Sequence, residues 1–337
     1  MRILICGLGS IGRRHLHNLA TLGQEDIVLY RTGLGTLPDD ELVGYPVEHD
    51  LATALEGQRP QAVFVTNPTA SHLEVAVAAA ESGAHLFLEK PVSHSMEGLA
   101  ALKQAVVDQG VRVQVGYQYR AHPTLIHARQ LLLEGAIGQP LSAAAHWGEH
   151  LPDWHPWEDY RQAYSARADL GGGVILTLSH PLDYLRWMFG DVEGVQADIG
   201  RPGALELDVE SQAAIILRHK DGMISTVELN YHQQPPRHDL EVVGADGTLR
   251  WDGLTGELRW WSAAQGDWQV ERPPQGFERN DMFVAEIQGF LNLAVASTEP
   301  ICSLEDGIAA VRIACTALEA ARTGQRLPLL DGVGVSR

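Results

Sequence analysis

The stretch Gly7-Leu8-Gly9-Ser10-Ile11-Gly12 follows a short apolar run, Ile3 to Cys6, and opens a segment, Ile11 to Leu22, whose apolar residues recur every three or four positions. Strand, glycine loop and helix in that order turn a weak glycine pattern into a dinucleotide-binding fingerprint. The first glycine permits the tight turn, the second lets backbone amides approach a pyrophosphate, and the third lets the helix pack close on the strand. The free N–H groups and positive dipole end of that helix hold the diphosphate without needing a cation. Gly7, Leu8, Gly9, Ser10, Ile11 and Gly12 are therefore the expected cofactor contacts.

Outward from this loop the first third of the chain keeps the same alternation. Ile27 to Tyr30, Ala62 to Thr66, His85 to Glu89 and Val111 to Val115 read as strands buried on both faces, with helical periodicity over 71–82 and 95–109 between them. This is the pattern of βαβ units, and it predicts an α/β chain opening with a Rossmann doubly wound parallel sheet. After Pro123 the texture changes. A helix over 125–133 gives way to segments of period two at 211–219, 223–232, 240–243, 249–252, 258–262 and 268–271, read as neighbouring antiparallel strands of a large, mostly antiparallel open sheet in a C-terminal α+β domain. Two helices, 282–295 and 304–321, follow. The expected division is 1–122 and 123–337, with the helix at about 304–322 packing back on the first domain. Trp251, Trp260, Trp261 and Trp268 concentrate in the sheet, where they mark either a protein interface or the cover of a helix.

The composition narrows the function. Of 337 residues, 45% are hydrophobic and 20% charged, and Lys+Arg of 25 against Asp+Glu of 43 leaves a net charge of −18. Such a surface repels phosphate backbones and anionic lipid, so neither nucleic acid nor a membrane is an expected partner. Cys6, Cys302 and Cys315 are too scattered for a disulfide framework or a zinc site and fit a reducing cytoplasm. No apolar run reaches the roughly 18 residues of a membrane helix.

Tyr30-Arg31-Thr32 stands at the end of the second strand, where an NAD site usually presents a carboxylate to the ribose 2′-hydroxyl. Arg31 can pair with a 2′-phosphate instead, which predicts NADP, with NAD possible if Arg31 is merely solvated. Thr66-Asn67-Pro68 and Glu89-Lys90-Pro91 sit at carboxyl ends of parallel strands, where open α/β sheets carry their ligands. The chain has only three lysines, Lys90, Lys103 and Lys220. Unlike arginine, a desolvated lysine can release a proton near neutral pH, so Lys90 reads as a catalytic group; the plainer alternative is an ion pair with Glu89.

These segments, together with His72, Gly116-Tyr117-Gln118-Tyr119-Arg120 and Gly171-Gly172-Gly173 followed by His180, resemble the glucose-fructose oxidoreductase and inositol dehydrogenase family across nearly the whole chain. The resemblance implies a Rossmann domain, a C-terminal domain whose open sheet builds homodimers or homotetramers, no metal, and hydride transfer at a sugar or cyclitol carbinol. It implies that Lys90 orients the reacting oxygen and His180 is the acid/base. It adds Thr32, Thr66, Asn67, Pro68, His72, Glu89 and Gln118 to Arg31 around the cofactor, and Tyr117 to the substrate side. Family members commonly carry an aspartate where this chain has Thr177, and threonine does not exchange a proton at neutral pH. Asp183, three residues after His180, either orients that ring and the substrate or is structural. The same feature keeps open a catalytically degenerate, dinucleotide-binding regulator of the same fold.

The aperiodic stretch Glu149 to Arg161, which includes Trp154, His155, Pro156, Trp157 and Tyr160, suits carbohydrate: indole faces cover apolar sugar surface while polar groups bond hydroxyls. Arg120 and Arg167 are candidates to hold an anionic group on the substrate. His150 and His155 are separated by a proline, so a helical metal-ligand pair is not expected. The function predicted is reversible oxidation of a secondary alcohol of a sugar-like or cyclitol-like substrate by NADP.

Overall fold

A computed structural model describes residues 1–329 except 34, 36, 156, 157 and 297, so Pro156 and Trp157 of the sugar-binding expectation lie outside the described residues. Two compact units result: Met1–Gln118 with Glu278–Ile308, and Tyr119–Phe277 with the chain from Ala309 onward.

In the first unit, β1 (Ile3–Cys6), α1 (Ser10–Thr21), β2 (Ile27–Tyr30), β3 (Val47–Glu48), β4 (Ala62–Val65), α2 (His72–Glu81), β5 (His85–Glu89), α3 (Leu99–Gln109) and β6 (Val113–Gly116) alternate along the chain. The six strands form a parallel sheet in the order β3-β2-β1-β4-β5-β6. Every residue of β1 and β4 is buried, as strands covered on both faces require. The winding reverses between β1 and β4, and the glycine loop leaves β1 at that switch point. The unit is not closed by its first 118 residues. The helix Arg279–Ala296 lays Phe290 edge-on to Phe64 and Phe87, with ring centroids 5.3 and 5.6 Å away, while Phe64 and Phe87 stack at 4.8 Å. A single cut after residue 122 would separate these rings. Further on, Gly307 abuts Val92 and Val115, so the start of the helix Leu304–Thr323 packs within this unit too.

The second unit contains α4 (Pro123–Leu133), β7 (Pro140–His150), α5 (Val174–Thr177), α6 (His180–Phe189), β8 (Val192–Gly200), β9 (Gln212–His219), β10 (Ile224–Asn230), β11 (His232–Gly244), β12 (Gly247–Asp252), β13 (Leu258–Ser262), β14 (Trp268–Glu271) and β15 (Leu327–Pro328). The strand order is β14-β13-β12-β11-β7-β10-β9-β8-β15. Alternate residues of β9 and β10 are buried, which is the period of two made physical. The sheet is mostly antiparallel, as expected; strand β7 inserts between β11 and β10 and runs parallel to β10. Trp251 is an interior residue: its indole N–H donates to Thr124 Oγ1 at 3.1 Å, and its ring meets Tyr119, His122 and His238. Burial within its own unit removes it from any interface, whereas Trp268 stays exposed.

Candidate active site

The glycine loop has the geometry of a phosphate cradle. Gly7 turns with φ +96°, and a side chain on Gly12 would drive its first carbon to 2.0 Å from the Gly7 carbonyl oxygen, so α1 can start this close only with glycine there. Above Gly9 the space is open. Gly9 is the N-cap of α1 and offers no side-chain cap, and the first turn has no acidic residue. The helix's positive amino end is thus left for an external anion. The Thr66 hydroxyl donates to the Cys6 and Gly7 carbonyls at 3.0 and 2.6 Å, tying the end of β4 to the loop. Asn67 Oδ1 is buried without a hydrogen-bond partner among the described residues. An open helix end and an unmet amide beside it fit a dinucleotide.

Several residues expected around the cofactor also brace the strand ends of the sheet. His72 is buried and spans the two strand-end loops, Nε2 at 2.8 Å from the Asn67 carbonyl oxygen and Nδ1 at 2.9 Å from that of Pro91. Desolvation lowers its pKa against the pull of these carbonyls, and in the neutral ring a single N–H donates to one of the two. Glu89 faces inward: its carboxylate accepts from the Lys90 backbone N–H at 3.1 Å and lies 2.6 Å from His15 Nε2. His15, which sequence reasoning passed over, sits in a sleeve of Phe64, Phe87 and Phe283. Its one sequence signal is a polar residue within the buried stripe of α1. Lys90 itself is half-buried and begins the turn after β5. Pro68 is exposed at the next strand end, and Gln118 and Tyr117 are buried beyond β6. Arg31 lies at the end of β2 with Thr32 exposed beside it, and its Nη1 is 2.6 Å from Asp39 Oδ1.

In the second unit the triple glycine allows an unusually close fold. A side-chain carbon on Gly172 would lie 2.3 Å from the Tyr164 carbonyl oxygen, and one on Gly173, φ +107°, would lie 2.3 Å from Glu210 Oε1. Glu210 caps α5, its carbonyl accepting from the Val174 N–H at 3.0 Å and its carboxylate from the Ile175 N–H at 3.1 Å. Burial raises its pKa. His180 begins α6, buried against Tyr119 and Trp147 with centroids 4.9 and 5.4 Å away. Thr177 meets the hydroxyl of Tyr231, whose pKa burial pushes far up; Tyr231 was not anticipated from the sequence. Trp154 packs edge-on to Tyr231 at 5.6 Å, with half-buried His155 following it.

Other residues expected on the substrate side have protein partners in this structure. Arg120 and Asp183 form a buried two-pronged pair, Nε to Oδ2 at 2.9 Å and Nη2 to Oδ1 at 2.7 Å, each side chain 3% exposed. Each Asp183 oxygen therefore accepts from the Arg120 guanidinium, which fixes both side chains in place. Exposed Arg167 pairs with Asp169. Tyr160 spends its hydroxyl on the Leu205 carbonyl oxygen at 3.1 Å.

Comparison with known proteins agrees with the geometry. A family model described as an oxidoreductase family with an NAD-binding Rossmann fold matches residues 1–117, and the model of the GFO/IDH/MocA C-terminal domain matches residues 125–250. Myo-inositol 2-dehydrogenase of Thermotoga maritima is 26% identical over 99% of this chain and 100% of its own length. The 1,5-anhydro-D-fructose reductase of Ensifer adhaerens is 25% identical over 81% of this chain and 80% of its own. A solved levoglucosan dehydrogenase in complex with NADH and levoglucosan superposes with a TM-score of 0.87 at 19% identity, covering 98% of this chain and 100% of that one, a likeness of fold.

Proposed function

The chain belongs to the GFO/IDH/MocA family of NAD-binding Rossmann oxidoreductases, and from that premise we propose that it transfers hydride reversibly between NADP and a secondary alcohol of a sugar, cyclitol or sugar derivative. The observation that carries the reading is the uncapped amino end of α1 behind Gly9, open and free of acidic residues. The dinucleotide, when bound, supplies a hydride acceptor. The N–H groups of Ser10, Ile11 and Gly12 hold its diphosphate, and Arg31 faces the 2′-phosphate, for which the Tyr30-Arg31-Thr32 strand end offers no acid of its own.

Lys90 donates a hydrogen bond to the reacting oxygen and stabilises the negative charge that grows there as the carbinol is oxidised. The hydroxyl proton passes to the imidazole of His180, and returns from it in the reverse direction. Thr177 leaves the imidazole to carry that proton alone, since a hydroxyl does not ionise near neutral pH. The names of the inositol dehydrogenase and anhydrofructose reductase relatives support a polyhydroxylated substrate. Ile216 and Ile224, exposed on one face of β9 and β10, support pairing of like chains through the sheet, which light scattering of the purified protein tests.

Incubation with NADP or NAD and a panel of sugars, cyclitols and nucleotide sugars, read by absorbance of the reduced cofactor, tests the activity. Lys90→Met is expected to cut turnover by about 100-fold or more while changing nucleotide affinity only a few-fold. Nucleotide binding without turnover on any member of the panel would instead leave a nucleotide receptor.

A further inference from the structure

The end of β2 carries a second determinant that only the fold brings there. Arg31 is held from both sides of its backbone: its N–H donates to the Glu48 carbonyl oxygen at 3.0 Å, and its own carbonyl oxygen lies 2.8 Å from His49 Nδ1. The guanidinium is largely buried, and its one described charged partner is Asp39, 66% exposed, at 2.6 Å. Arg13, on α1, ties this segment to the glycine loop. Its Nε donates to the Leu8 carbonyl oxygen at 3.0 Å, its Nη2 donates to that of Leu37 at 3.3 Å, and Glu41 and Asp39 stand 3.5 and 4.0 Å from its tip. The carboxylate of Asp39 is thus fastened beside the phosphate cradle and set on the guanidinium that would receive a 2′-phosphate. Its hydrogen bond to Arg31 holds the carboxyl below the usual carboxylate range, so it is charged at neutral pH.

Resting on the reading that Arg31 faces the 2′ position, we infer that Asp39 is a specificity-determining residue for the nucleotide, competing with the 2′-phosphate for Arg31 and so narrowing the preference for NADP over NAD. A 2′-phosphate must either displace this carboxylate or lie beside it against like charge; a 2′-hydroxyl does neither, and can donate a hydrogen bond to it. The nucleotide preference belongs to the Arg31–Asp39 pair, so an arginine at the end of β2 does not set it alone. Because Asp39 is exposed, removing it opens no cavity and leaves the loop's tether through Arg13 to the Leu8 and Leu37 carbonyls in place.

The test is direct binding of NADPH and NADH to the full-length protein, followed by nucleotide fluorescence, in wild type, Asp39→Ala, Asp39→Asn, Arg31→Ala and the Arg31→Ala/Asp39→Ala double variant. Either Asp39 substitution is expected to shift the NADPH-to-NADH affinity ratio toward NADPH by about five- to tenfold, with the shift shrinking as salt is raised and vanishing in the double variant. An unchanged ratio in both Asp39 variants, or a shift toward NADH, overturns the inference. Arg31→Ala reports on the underlying reading separately: if it leaves NADPH affinity untouched, Arg31 does not face the 2′ position, whatever the Asp39 variants do.

Discussion

His122 shows how burial sets the acid response of this molecule. Enclosed edge-on by Trp251 and Phe277, at 5.4 and 5.1 Å, and hydrogen-bonded to the Thr124 hydroxyl, its pKa is pushed down to about 4. The folded protein keeps the ring neutral where the unfolded chain has already taken up a proton. Its share of stability is therefore complete above the unfolded value near 6.5, declines as pH falls, and is gone by about 4. Between those limits the loss is roughly 3 kcal/mol. Urea denaturation at about pH 7 and about pH 4 should show that His122→Gln, which cannot titrate, loses that much less stability than wild type; equal losses would remove His122 from the acid limb. At this scale the sequence told much about residues whose surroundings are local. The glycine loop is one. It told little about partners far along the chain: His15 and Glu89 are 74 positions apart, Arg120 and Asp183 are 63 apart, and each of these side chains looks available until the fold supplies its counterpart.

Between elements, the tightest constraint is the join of the triple glycine to α5. Gly173 combines a left-handed φ of +107° with Glu210 where a side chain would go, whereas Gly222 has φ +90° with nothing within 4 Å. Gly173→Ala should therefore cost at least about 2 kcal/mol more in chemical denaturation than Gly222→Ala, since the two share the backbone penalty and only one meets a buried carboxylate. Equal costs would mean that Glu210 moves aside freely. The elements legible from sequence are those with strong local patterns: β1, β2, β5, β13 and β14 run over the residues their apolar runs predict. Strand β7 was not legible because its centre is Ala143-Ala144-Ala145, and Gly148 is small for a reason the sequence does not display. A side-chain carbon there would come within 2.6 Å of Gln233 and 2.7 Å of Asn230 on neighbouring chain. Strand β3, two residues long, is too short for any period to mark it.

For the molecule as a whole, contiguity in space departs from contiguity in sequence. The first unit needs Phe283, Ile287 and Phe290 from the helix Arg279–Ala296 to cover Phe64, Phe87 and His15. A fragment of residues 1–122 is expected to be poorly soluble and to lack a cooperative thermal transition, and a peptide spanning 278–308 added in trans is expected to restore the transition. A fragment that melts cooperatively without the peptide would show that this helix is dispensable.

The late return of this helix also bears on synthesis. When the nucleotide-binding sequence leaves the ribosome, its covering segment is still more than 150 residues from being translated, so the aromatic face of the sheet must wait, uncovered, while the intervening residues emerge. The part of the protein that is made first is in this way finished near the end, and the ability to bind a nucleotide becomes a sign that almost the whole polypeptide has been delivered.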